Sequence, residues 1–233
     1  MEKEESHPVV GSSVSASRCL VVFSKPSRPG AVKTRLIGML TPQQACDLHE
    51  AFLGDLVERL KEGDFHLEVA WAVSRESKAP DIGLPAMTQI GETLGDRLFD
   101  ALSRVAKEFE MVAAIGSDHP DLPLSQVQGA FEQLESGADI VLGPAKDGGY
   151  YLIAVHCRNL DRDLFSRIEW SSSTVLSDTL NRCRTIGLEV SLLDLAADVD
   201  LPRDLERLAR TLAEDPNIHC PRTRQVLADW NMG

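Results

Sequence analysis

Residues Cys19–Leu36 read CLVVFSKPSRPGAVKTRL, an unbroken apolar run followed by a loop with several basic residues. The run Cys19–Phe23 is typical of a strand that helices cover on both faces, because its alternating side chains are apolar on both sides. In open α/β sheets, ligands bind at the carboxyl edge of such strands, where the loop begins. The stretch therefore predicts an α/β sheet whose first loop lies at a binding edge.

Apolar runs and amphipathic stretches alternate along the rest of the chain. Further strands are predicted at Leu67–Val73, Met111–Ile115, Asp139–Leu142, Tyr150–Val155 and Leu188–Leu193. Helices are predicted where apolar residues recur at spacings of three and four, after the capping sequence Thr41–Gln44 and along Leu94–Phe109, Val127–Leu134, Val175–Cys183 and Leu205–Leu212. This alternation predicts a single α/β domain over residues 18–233, with a mixed, mostly parallel sheet between helices. Residues 1–17 lack the apolar stretch of a signal peptide, and we interpret them as a flexible tail.

Composition and charge restrict the kinds of partner. The 233 residues carry a net charge of −12, which argues against nucleic acid polymers and anionic membranes as partners. No apolar run approaches the roughly 18 residues of a membrane span. The five cysteines are scattered without a C-x-x-C pair, which favours a reducing compartment over a disulfide framework or a zinc site. We therefore expect a cytoplasmic protein, with its oligomeric state left open.

The loop after the first strand is basic although the chain as a whole is acidic. No acidic residue occurs within residues 6–46, whereas five basic residues do: Arg18, Lys25, Arg28, Lys33 and Arg35. Lys25, Lys33 and Arg35 could neutralise phosphate oxygens, and Gly30 would let the backbone approach them. The loop matches neither the P-loop nor the dinucleotide-binding glycine pattern. It predicts a phosphate-binding site, with a solvated basic loop as the alternative.

A second motif, Ile115–Pro123, follows another predicted strand. That strand ends near Gly116 and places Asp118 at the same carboxyl edge as the basic loop. A carboxylate there suits Mg²⁺ or Mn²⁺, hard cations that bind one or two carboxylates together with substrate phosphates. Asp118 is therefore a predicted metal ligand and catalytic residue. Asp121, by contrast, is predicted to cap the helix that follows it.

Two later motifs carry further carboxylates. Asp147–Gly149 lies between two predicted strands, so it is either a hairpin turn or a surface without side chains that a sugar could approach. Asp198 and Asp200 precede a predicted helix. Asp200 either caps this helix, or one of the two aspartates completes the metal site with Asp118.

Two weaker elements precede amphipathic helices. Gly95–Arg97 makes Asp96 a candidate substrate contact, and Trp170–Thr174 makes Trp170 another, although the second element could serve only as an N-cap cluster. The six histidines show no ligand spacing and are given no chemical role. A nucleophile motif such as G-x-S-x-G is also absent from the sequence.

Four motifs taken together resemble a known family. They are F-S-K-P-x-x-P-G-x-V-K-T-R-L, G-S-D-x-P-D-L-P, G-P-A-x-D-G-G-Y-Y-L and D-V-D-x-P-x-D-L, and they lie in family order within residues 18–210. They resemble a bacterial and archaeal family of radical-SAM/selenodomain-associated transferases, which are considered glycosyltransferases of arsenosugar biosynthesis. That family looks like a branch of the nucleotide-diphospho-sugar transferases of GT-A fold. It is also similar to 2-phospholactate guanylyltransferase and to molybdenum-cofactor nucleotidyltransferases.

The resemblance implies a GT-A-like fold and specific roles for charged residues. It implies phosphate contacts at Lys33 and Arg35 and a Mg²⁺ or Mn²⁺ ligand at Asp118. A second carboxylate would come from Asp198 or Asp200, of which Asp200 is the better match to the family pattern.

The resemblance also implies a metal-dependent transferase with a nucleotide-activated donor and a small-molecule acceptor. Asp147, Gly148 and Gly149 would lie near the acceptor or sugar. The leading prediction is a glycosyltransferase acting from a nucleotide-diphospho-sugar, with Asp147 as a candidate base. This sequence departs from glycosyltransferases in one respect, because Asp118 is followed by His119 and not by a D-x-D pattern.

Two other functions are kept as alternatives. A nucleotidyltransferase would move a guanylyl or cytidylyl group to a small phosphorylated acceptor and release pyrophosphate, and the basic loop favours it because a triphosphate must be bound. A non-catalytic module would bind a nucleotide as a sensor. The paired carboxylates argue against this last alternative, since a sensor has less need of a metal ion.

Overall fold

The structure is a computed structural model that describes residues 17–74 and 78–231. Seven strands in this part of the chain form one sheet: β1 (Arg18–Ser24), β2 (His66–Trp71), β3 (Ala86–Thr88), β4 (Met111–Gly116), β5 (Ile140–Pro144), β6 (Tyr150–His156) and β7 (Val190–Leu192). Their order across the sheet is β3-β2-β1-β4-β6-β5-β7. Strand β6 runs antiparallel to β4 and β5, whereas the other paired strands are parallel. The predicted mixed, mostly parallel sheet is confirmed.

Helices cover both faces of the sheet, as predicted. The described residues form six α-helices: α1 (Pro42–Leu60), α2 (Leu94–Val105), α3 (Leu124–Glu135), α4 (Val175–Ile186), α5 (Pro202–Glu214) and α6 (Pro221–Asp229). Helices α1 and α3 pack on one face, and α2 and α4 pack on the other. Helices α5 and α6 form a further cluster with α1.

Strand β1 lies at the centre of the core because apolar side chains extend from both of its faces. Leu20 and Val22 pack in the layer of α1 and α3, whereas Cys19 and Val21 pack in the layer of α2. All four side chains are fully buried. Burial of one valine or leucine side chain stabilises a fold by about 1.5–3 kcal/mol. The strand therefore holds both layers together and delivers its last residue, Ser24, to the carboxyl edge between them.

The starts of two helices test the capping predictions. At α1 the predicted box forms: Thr41 Oγ1 accepts from the Gln44 amide at 3.2 Å, and Gln44 Oε1 accepts from the Thr41 amide at 2.9 Å. The predicted cap at Asp121 is wrong. Helix α3 begins at Leu124, with Pro123 at its N-cap position and no side-chain cap hydrogen bond. Asp121 is two residues too early to reach the first amides of that helix.

Strand β3 and helix α6 have no counterpart among the predicted elements. The tail predicted over residues 1–17 lies outside the described residues, except for Ser17. Within residues 17–74 and 78–231, none of the helices combines the length and the apolar character that a membrane span requires.

Candidate functional site

A cleft of about 570 Å³ opens at the carboxyl edge of the sheet, beside the ends of β1 and β4. These neighbouring parallel strands bring the basic loop and the Asp118 turn together. Acidic and basic side chains both line the cleft: Lys25, Lys33, Arg35, Arg97, Asp118 and Asp200. The structure thus places the predicted phosphate contacts beside the predicted metal ligands.

Lys33 lies at the centre of this charged cluster. Its ammonium nitrogen Nζ is 2.6 Å from Asp118 Oδ1 and 3.6 Å from Asp200 Oδ1, and it donates to the Val199 carbonyl at 2.6 Å. The side chain is only 3% exposed, and its ammonium lies 5.3 Å from the centre of the Phe52 ring. The backbone φ of Lys33 is 46°, a left-handed conformation that costs a non-glycine residue roughly 1–3 kcal/mol. In this structure the ammonium therefore binds the carboxylates and is not free to contact a phosphate.

The pKa values of the two aspartates beside Lys33 are shifted in opposite directions. Burial opposes the charge of Asp118, but the Lys33 ammonium and its hydrogen bond outweigh this effect and hold the pKa of Asp118 below its ordinary value. Burial raises the pKa of Asp200, and the charges of Asp118 and Asp198 raise it further. Arg35 Nη1, 3.3 Å from Asp200 Oδ2, partly offsets this repulsion. Carboxylate charge thus exceeds the ammonium charge at the centre of the cluster, which favours an additional cation.

The carboxylates fit a divalent cation that also takes ligands from a substrate. Asp118 and Asp200 converge on one ammonium, and two carboxylates with phosphate oxygens are a usual set for Mg²⁺. Over the described ranges, no three His, Cys, Asp or Glu side chains are grouped closely enough to hold a metal by themselves. The protein's own donors therefore suit Mg²⁺ or Mn²⁺ only when oxygen ligands of a substrate complete the set.

Asp198 pairs with His119 and not with Lys33. His119 Nε2 lies 3.0 Å from Asp198 Oδ1, and the imidazole centre lies 5.3 Å from the centre of the Tyr151 ring. Burial opposes the charge of Asp198, but the hydrogen bond and charge of His119 bring the pKa of Asp198 below its ordinary value. Of the two late aspartates, only Asp200 shares the ammonium with Asp118. The geometry therefore favours Asp200 over Asp198 as the second metal ligand.

His49 connects the ends of β1 and β4 through a buried polar network. Its Nε2 atom lies 3.0 Å from the Lys25 carbonyl and 3.3 Å from Ser24 Oγ, which in turn lies 3.0 Å from Ser117 Oγ. Burial lowers the pKa of His49, so the ring is neutral at neutral pH. The sequence interpretation gave His49 no role. Its place beside Leu48 in the buried stripe of α1 was a signal that could have marked it.

Asp96, a predicted substrate contact, binds partners that stabilise the start of helix α2. Its carboxylate accepts from the Thr93 hydroxyl at 2.8 Å and from the Thr93 amide at 3.2 Å, which forms the capping box of α2. It also forms an ion pair with Arg162 at 3.1 Å. Asp96 is not among the residues that line the cleft, whereas the next residue, Arg97, lines it. A role for Asp96 in substrate binding stays a prediction.

Trp170 and Gly30 also lie outside the cleft lining. A Cβ added to Gly95 would come within 2.6 Å of the Trp170 ring, so this tryptophan packs directly on the first turn of α2. Gly30 has a φ of 77° in the turn that the Ala31 amide closes onto the Arg28 carbonyl at 3.0 Å. Turn geometry explains Gly30 without a ligand.

The Asp147–Gly149 segment is the turn of the β5–β6 hairpin, as one of its two interpretations predicts. Asp147 Oδ1 accepts from the Gly149 amide at 2.9 Å. Gly148 has a φ of 93°, and a Cβ there would come within 2.1 Å of the Ser173 carbonyl, so close packing requires this glycine. Asp147 lines a side cavity of about 350 Å³ that shares Asp200 with the cleft. Its role as a base, and the role of the glycines near a sugar, stay predictions.

The sequence matches a known protein family. The family model described as "Uncharacterized protein conserved in bacteria (DUF2064)" matches residues 55–172. The chain belongs to the DUF2064 family. In this DUF2064 protein the match includes the Asp118 and Asp147 turns, while Lys33 and Asp200 lie outside it.

Two relatives extend the comparison beyond the DUF2064 match. The 2-phospho-L-lactate guanylyltransferase of Haloarcula marismortui is 30% identical over 183 residues, which cover 74% of this chain and 77% of the relative. A solved structure from Desulfovibrio desulfuricans G20, provisionally named a nucleotide-diphospho-sugar transferase, is 29% identical. Its TM-score is 0.86, with 93% of this chain and 96% of that chain covered. The DUF2064 protein is therefore a transferase with the nucleotide-diphospho-sugar transferase fold.

A more distant enzyme shares the fold alone. The cytidylyltransferase of Leptospira borgpetersenii serovar Hardjo-bovis has a TM-score of 0.58 at 11% identity, with 93% of this chain and 96% of that chain covered. None of these relatives bears on the predicted association of the DUF2064 protein with radical-SAM proteins and arsenosugars, which stays a prediction.

Proposed function

We propose that this protein transfers a nucleotidyl group from a nucleoside triphosphate to a small phosphorylated acceptor and releases pyrophosphate. The observation that carries the proposal is the charge arrangement of the cleft. Lys25, Arg35 and Arg97 supply positive charge along it, and Asp118 and Asp200 lie beside them. A triphosphate needs such a combination, because catalysis of phosphoryl chemistry consists mainly of positioning and charge neutralisation.

The reaction needs little covalent chemistry from the protein. An oxygen of the acceptor phosphate attacks the α-phosphorus of the donor; the new P–O bond forms as the bond to the β-phosphate oxygen breaks, and pyrophosphate leaves. The acceptor phosphate is already an anion, so no side chain has to remove a proton. Arg35 and Arg97 would bind the phosphates of the donor, since guanidinium groups match phosphate geometry.

The carboxylates and Lys33 prepare the metal site. Asp118 and Asp200 would hold Mg²⁺ or Mn²⁺, which when bound neutralises charge on the departing pyrophosphate. Lys33 keeps Asp118 ionised before a donor arrives, because its ammonium lowers the pKa of that carboxyl against the effect of burial. The H. marismortui relative, a guanylyltransferase by name, supports this proposal at 30% identity.

Glycosyl transfer is the second candidate, because the D. desulfuricans neighbour, which is 29% identical, is provisionally named a nucleotide-diphospho-sugar transferase. In that reaction an acceptor hydroxyl attacks the anomeric carbon of a nucleotide-diphospho-sugar, and Asp147 would be the base. The two reactions differ in their products. Glycosyl transfer releases a nucleoside diphosphate, whereas nucleotidyl transfer releases pyrophosphate.

A product assay separates the two candidates. The purified protein is incubated with Mg²⁺ or Mn²⁺, with nucleoside triphosphates or nucleotide-sugars as donors, and with phosphorylated acids that include 2-phospho-L-lactate. We expect pyrophosphate from at least one pair of triphosphate and acid. Nucleoside diphosphate from a nucleotide-sugar, with no pyrophosphate from any pair, would favour glycosyl transfer and overturn the proposal.

The metal assignment is tested with Asp118→Asn. Mn²⁺ affinity is measured by electron paramagnetic resonance in the presence of nucleoside triphosphate, together with turnover. We expect the variant to lose at least tenfold in Mn²⁺ affinity and about 100-fold in turnover. Asp64→Asn is the matched control, because Asp64 is exposed and precedes β2 at the opposite edge of the sheet. An Asp118→Asn variant that binds Mn²⁺ as the control does would refute the assignment.

A further inference from the structure

Asp200 lies on a stretch of irregular backbone at the carboxyl edge of the sheet. Residues 197–201, all of which the structure describes, belong to neither a helix nor a strand. Val199 ties the middle of this stretch to the cleft, because its amide donates to the Asp118 carbonyl at 3.2 Å and its carbonyl accepts from Lys33 at 2.6 Å. The neighbouring amides and carbonyls need other partners, since neither a strand ladder nor a helix supplies them.

Asp204, in the first turn of α5, binds the end of this stretch. Helix α5 begins at Pro202, and Leu201 before it has no side-chain oxygen that could cap the helix. Asp204 Oδ2 accepts instead from the Leu201 amide at 2.9 Å and from the Asp200 amide at 3.4 Å. The Asp204 carboxylate therefore closes the start of the helix and also holds the backbone of Asp200 itself.

Arg207, in the same helix, binds the beginning of the stretch. Its Nη2 atom donates to the Ala197 carbonyl at 3.2 Å and to the Asp198 carbonyl at 3.1 Å. Its Nη1 atom donates to Asp204 Oδ1 at 3.1 Å. A guanidinium group can make these bonds at the same time because its donors lie in a fixed fork. Arg207 and Asp204 thus hold the backbone on both sides of Val199.

The contacts of this pair exceed those of an ordinary ion pair on a helix surface. A pair three residues apart needs no partner outside its own helix. Here four of the five side-chain hydrogen bonds of Asp204 and Arg207 reach the stretch before the helix. Neither side chain is among those that line the cleft. Their effect on a ligand in the cleft would therefore pass through Asp200.

We propose that Asp204 and Arg207 are positioning residues for the metal site, because they hold residues 197–201 so that the Asp200 carboxylate converges with that of Asp118. This inference rests on the metal site of the proposed function, and it gives neither residue a contact with the substrate. Residues that orient metal ligands typically contribute roughly 10–100-fold to metal affinity.

The direction of the change in Mn²⁺ affinity separates positioning from charge. By Coulomb's law alone, the loss of a positive charge near a cation site strengthens cation binding. Arg207→Met and Arg203→Met remove the same charge from the same helix. Arg203 is the matched control because its side chain is 81% exposed and its Nε atom lies 4.0 Å from Asp204 Oδ1, beyond hydrogen-bond distance.

Mn²⁺ affinity is measured by electron paramagnetic resonance with nucleoside triphosphate, well below the melting temperature of each variant. We expect Arg207→Met to bind Mn²⁺ about tenfold more weakly than the wild type, whereas Arg203→Met should bind it equally or slightly more tightly. An Arg207→Met variant that binds Mn²⁺ as tightly as Arg203→Met would overturn the proposal.

Conservative variants separate positioning from the mere presence of a helix. Asp204→Asn keeps an oxygen that can accept from the Leu201 amide, whereas Asp204→Ala removes it. We expect Asp204→Asn to stay within about threefold of the wild-type Mn²⁺ affinity and Asp204→Ala to lose about tenfold. Wild-type affinity in Asp204→Ala would exclude a positioning role for Asp204.

A double-mutant cycle shows whether Arg207 acts through Asp200. In the Asp200→Asn background, Arg207→Met should change Mn²⁺ affinity by less than about twofold, because the carboxylate that it positions is already lost. A full tenfold loss in that background would mean that Arg207 acts by another route, which contradicts the proposal.

Amide hydrogen exchange tests the positioning without metal or donor. We expect the Val199 amide to exchange faster in Arg207→Met than in Arg203→Met, relative to the amides of β1. Unchanged exchange at Val199 would overturn the proposal whatever the metal result. If the wild type binds no Mn²⁺ with any triphosphate, the metal site of the proposed function fails; faster exchange at Val199 would then still support the hold of Arg207 on residues 197–201.

Discussion

Replacing Lys33 with methionine removes the ammonium that contacts both predicted metal aspartates. That ammonium lies 2.6 Å from Asp118 and 3.6 Å from Asp200, and it donates to the Val199 carbonyl. Methionine is also unbranched, so it can keep the apolar packing beside the Phe52 ring while the carboxylates lose their shared counter-ion. We expect Lys33→Met to fold, to be less stable at neutral pH, and to regain part of that stability when Mg²⁺ is added.

The size of the loss follows from the burial of the three side chains. An exposed ion pair is worth about 0–1 kcal/mol, whereas removal of one partner of a buried pair costs about 3–5 kcal/mol. Lys33 is 3% exposed, but the side chains of Asp118 and Asp200 are 41% and 38% exposed, so water screens part of the uncompensated charge. The lost hydrogen bond to the Val199 carbonyl adds about 1 kcal/mol. We therefore expect the free energy of unfolding to fall by about 2–3 kcal/mol at pH 7.

The loss should depend on pH in a defined direction. In the wild type the pKa of Asp118 lies below its ordinary value of 3.8, so its stabilising contribution is present above that value and is lost as the pH falls through the folded-state pKa. Lys33→Met lacks this contribution. The stability difference between the two proteins should therefore be full at pH 7 and should shrink as the pH falls below about 3.8, towards the roughly 1 kcal/mol of the lost hydrogen bond to the Val199 carbonyl.

Urea denaturation at pH 7, followed by circular dichroism, measures the difference. Lys25→Met is the matched control, because Lys25 belongs to the same basic loop but is exposed. We expect this control to change the free energy of unfolding by less than about 0.5 kcal/mol. The account of Lys33 as the counter-ion of the cleft would be refuted if Lys33→Met were as stable as Lys25→Met at pH 7.

Three other substitutions test the buried polar network around His49, the packing of helix α6 on α1, and the predicted substrate contact at Asp96. Burial lowers the pKa of His49 from 6.5, so the free energy of unfolding should fall as the pH drops below 6.5. In urea titrations at pH 7.5 and 5.5, His49→Gln should show a smaller difference between the two pH values than the wild type does. The Asp55 carboxylate accepts hydrogen bonds from the Arg222 and Thr223 amides at 3.0 and 2.8 Å. Asp55→Ala should therefore lower the free energy of unfolding by about 2 kcal/mol and speed amide hydrogen exchange in α6. Unchanged exchange in α6 would contradict this. Asp96→Ala should lower the melting temperature by about 2–4 °C through loss of the α2 cap, with kcat unchanged. A reduced kcat with unchanged melting would return Asp96 to the substrate site.

The parts of the fold that were predictable from sequence have local causes. Strand β1 is recognisable because its residues are apolar on both faces, and α1 because its capping box lies within four residues. Strand β3 is only three residues long and forms because β2 offers it a partner. Helix α6 carries few apolar residues, and its first amides bind Asp55, which lies far earlier in the chain. Such long-range causes leave no periodic pattern in the sequence.

The same distinction applies to the candidate site. Asp118 could be located because it follows a recognisable strand, and its position at the carboxyl edge needs no tertiary detail. The basic loop indicates the sign of the charge near that edge but not the direction of each side chain. Both Lys33 and Arg35 pair with carboxylates, but Lys33 is buried, whereas Arg35 remains exposed in the cleft. The role of His49 was not predicted because its partners come from other elements: Ser24 and the Lys25 carbonyl at the end of β1 and, through Ser24, Ser117 after β4. Only the folded sheet brings these residues together.

The position of Lys33 explains how two aspartates can stay close together before a substrate binds. Burial raises the pKa of Asp200, and repulsion by Asp118 raises it further; the Lys33 ammonium limits this rise and keeps Asp118 ionised. A unit charge and a divalent ion 4 Å apart repel each other by about 8 kcal/mol at an effective dielectric constant of 20, so the Lys33 ammonium offsets part of the attraction that the two carboxylates exert on such an ion. In the proposed reaction, the oxygens of the triphosphate would supply negative charge that offsets this repulsion. They would also add the metal ligands that the described side chains do not provide. The arrangement would therefore couple metal binding to donor binding, because each ligand supplies charge that the other needs.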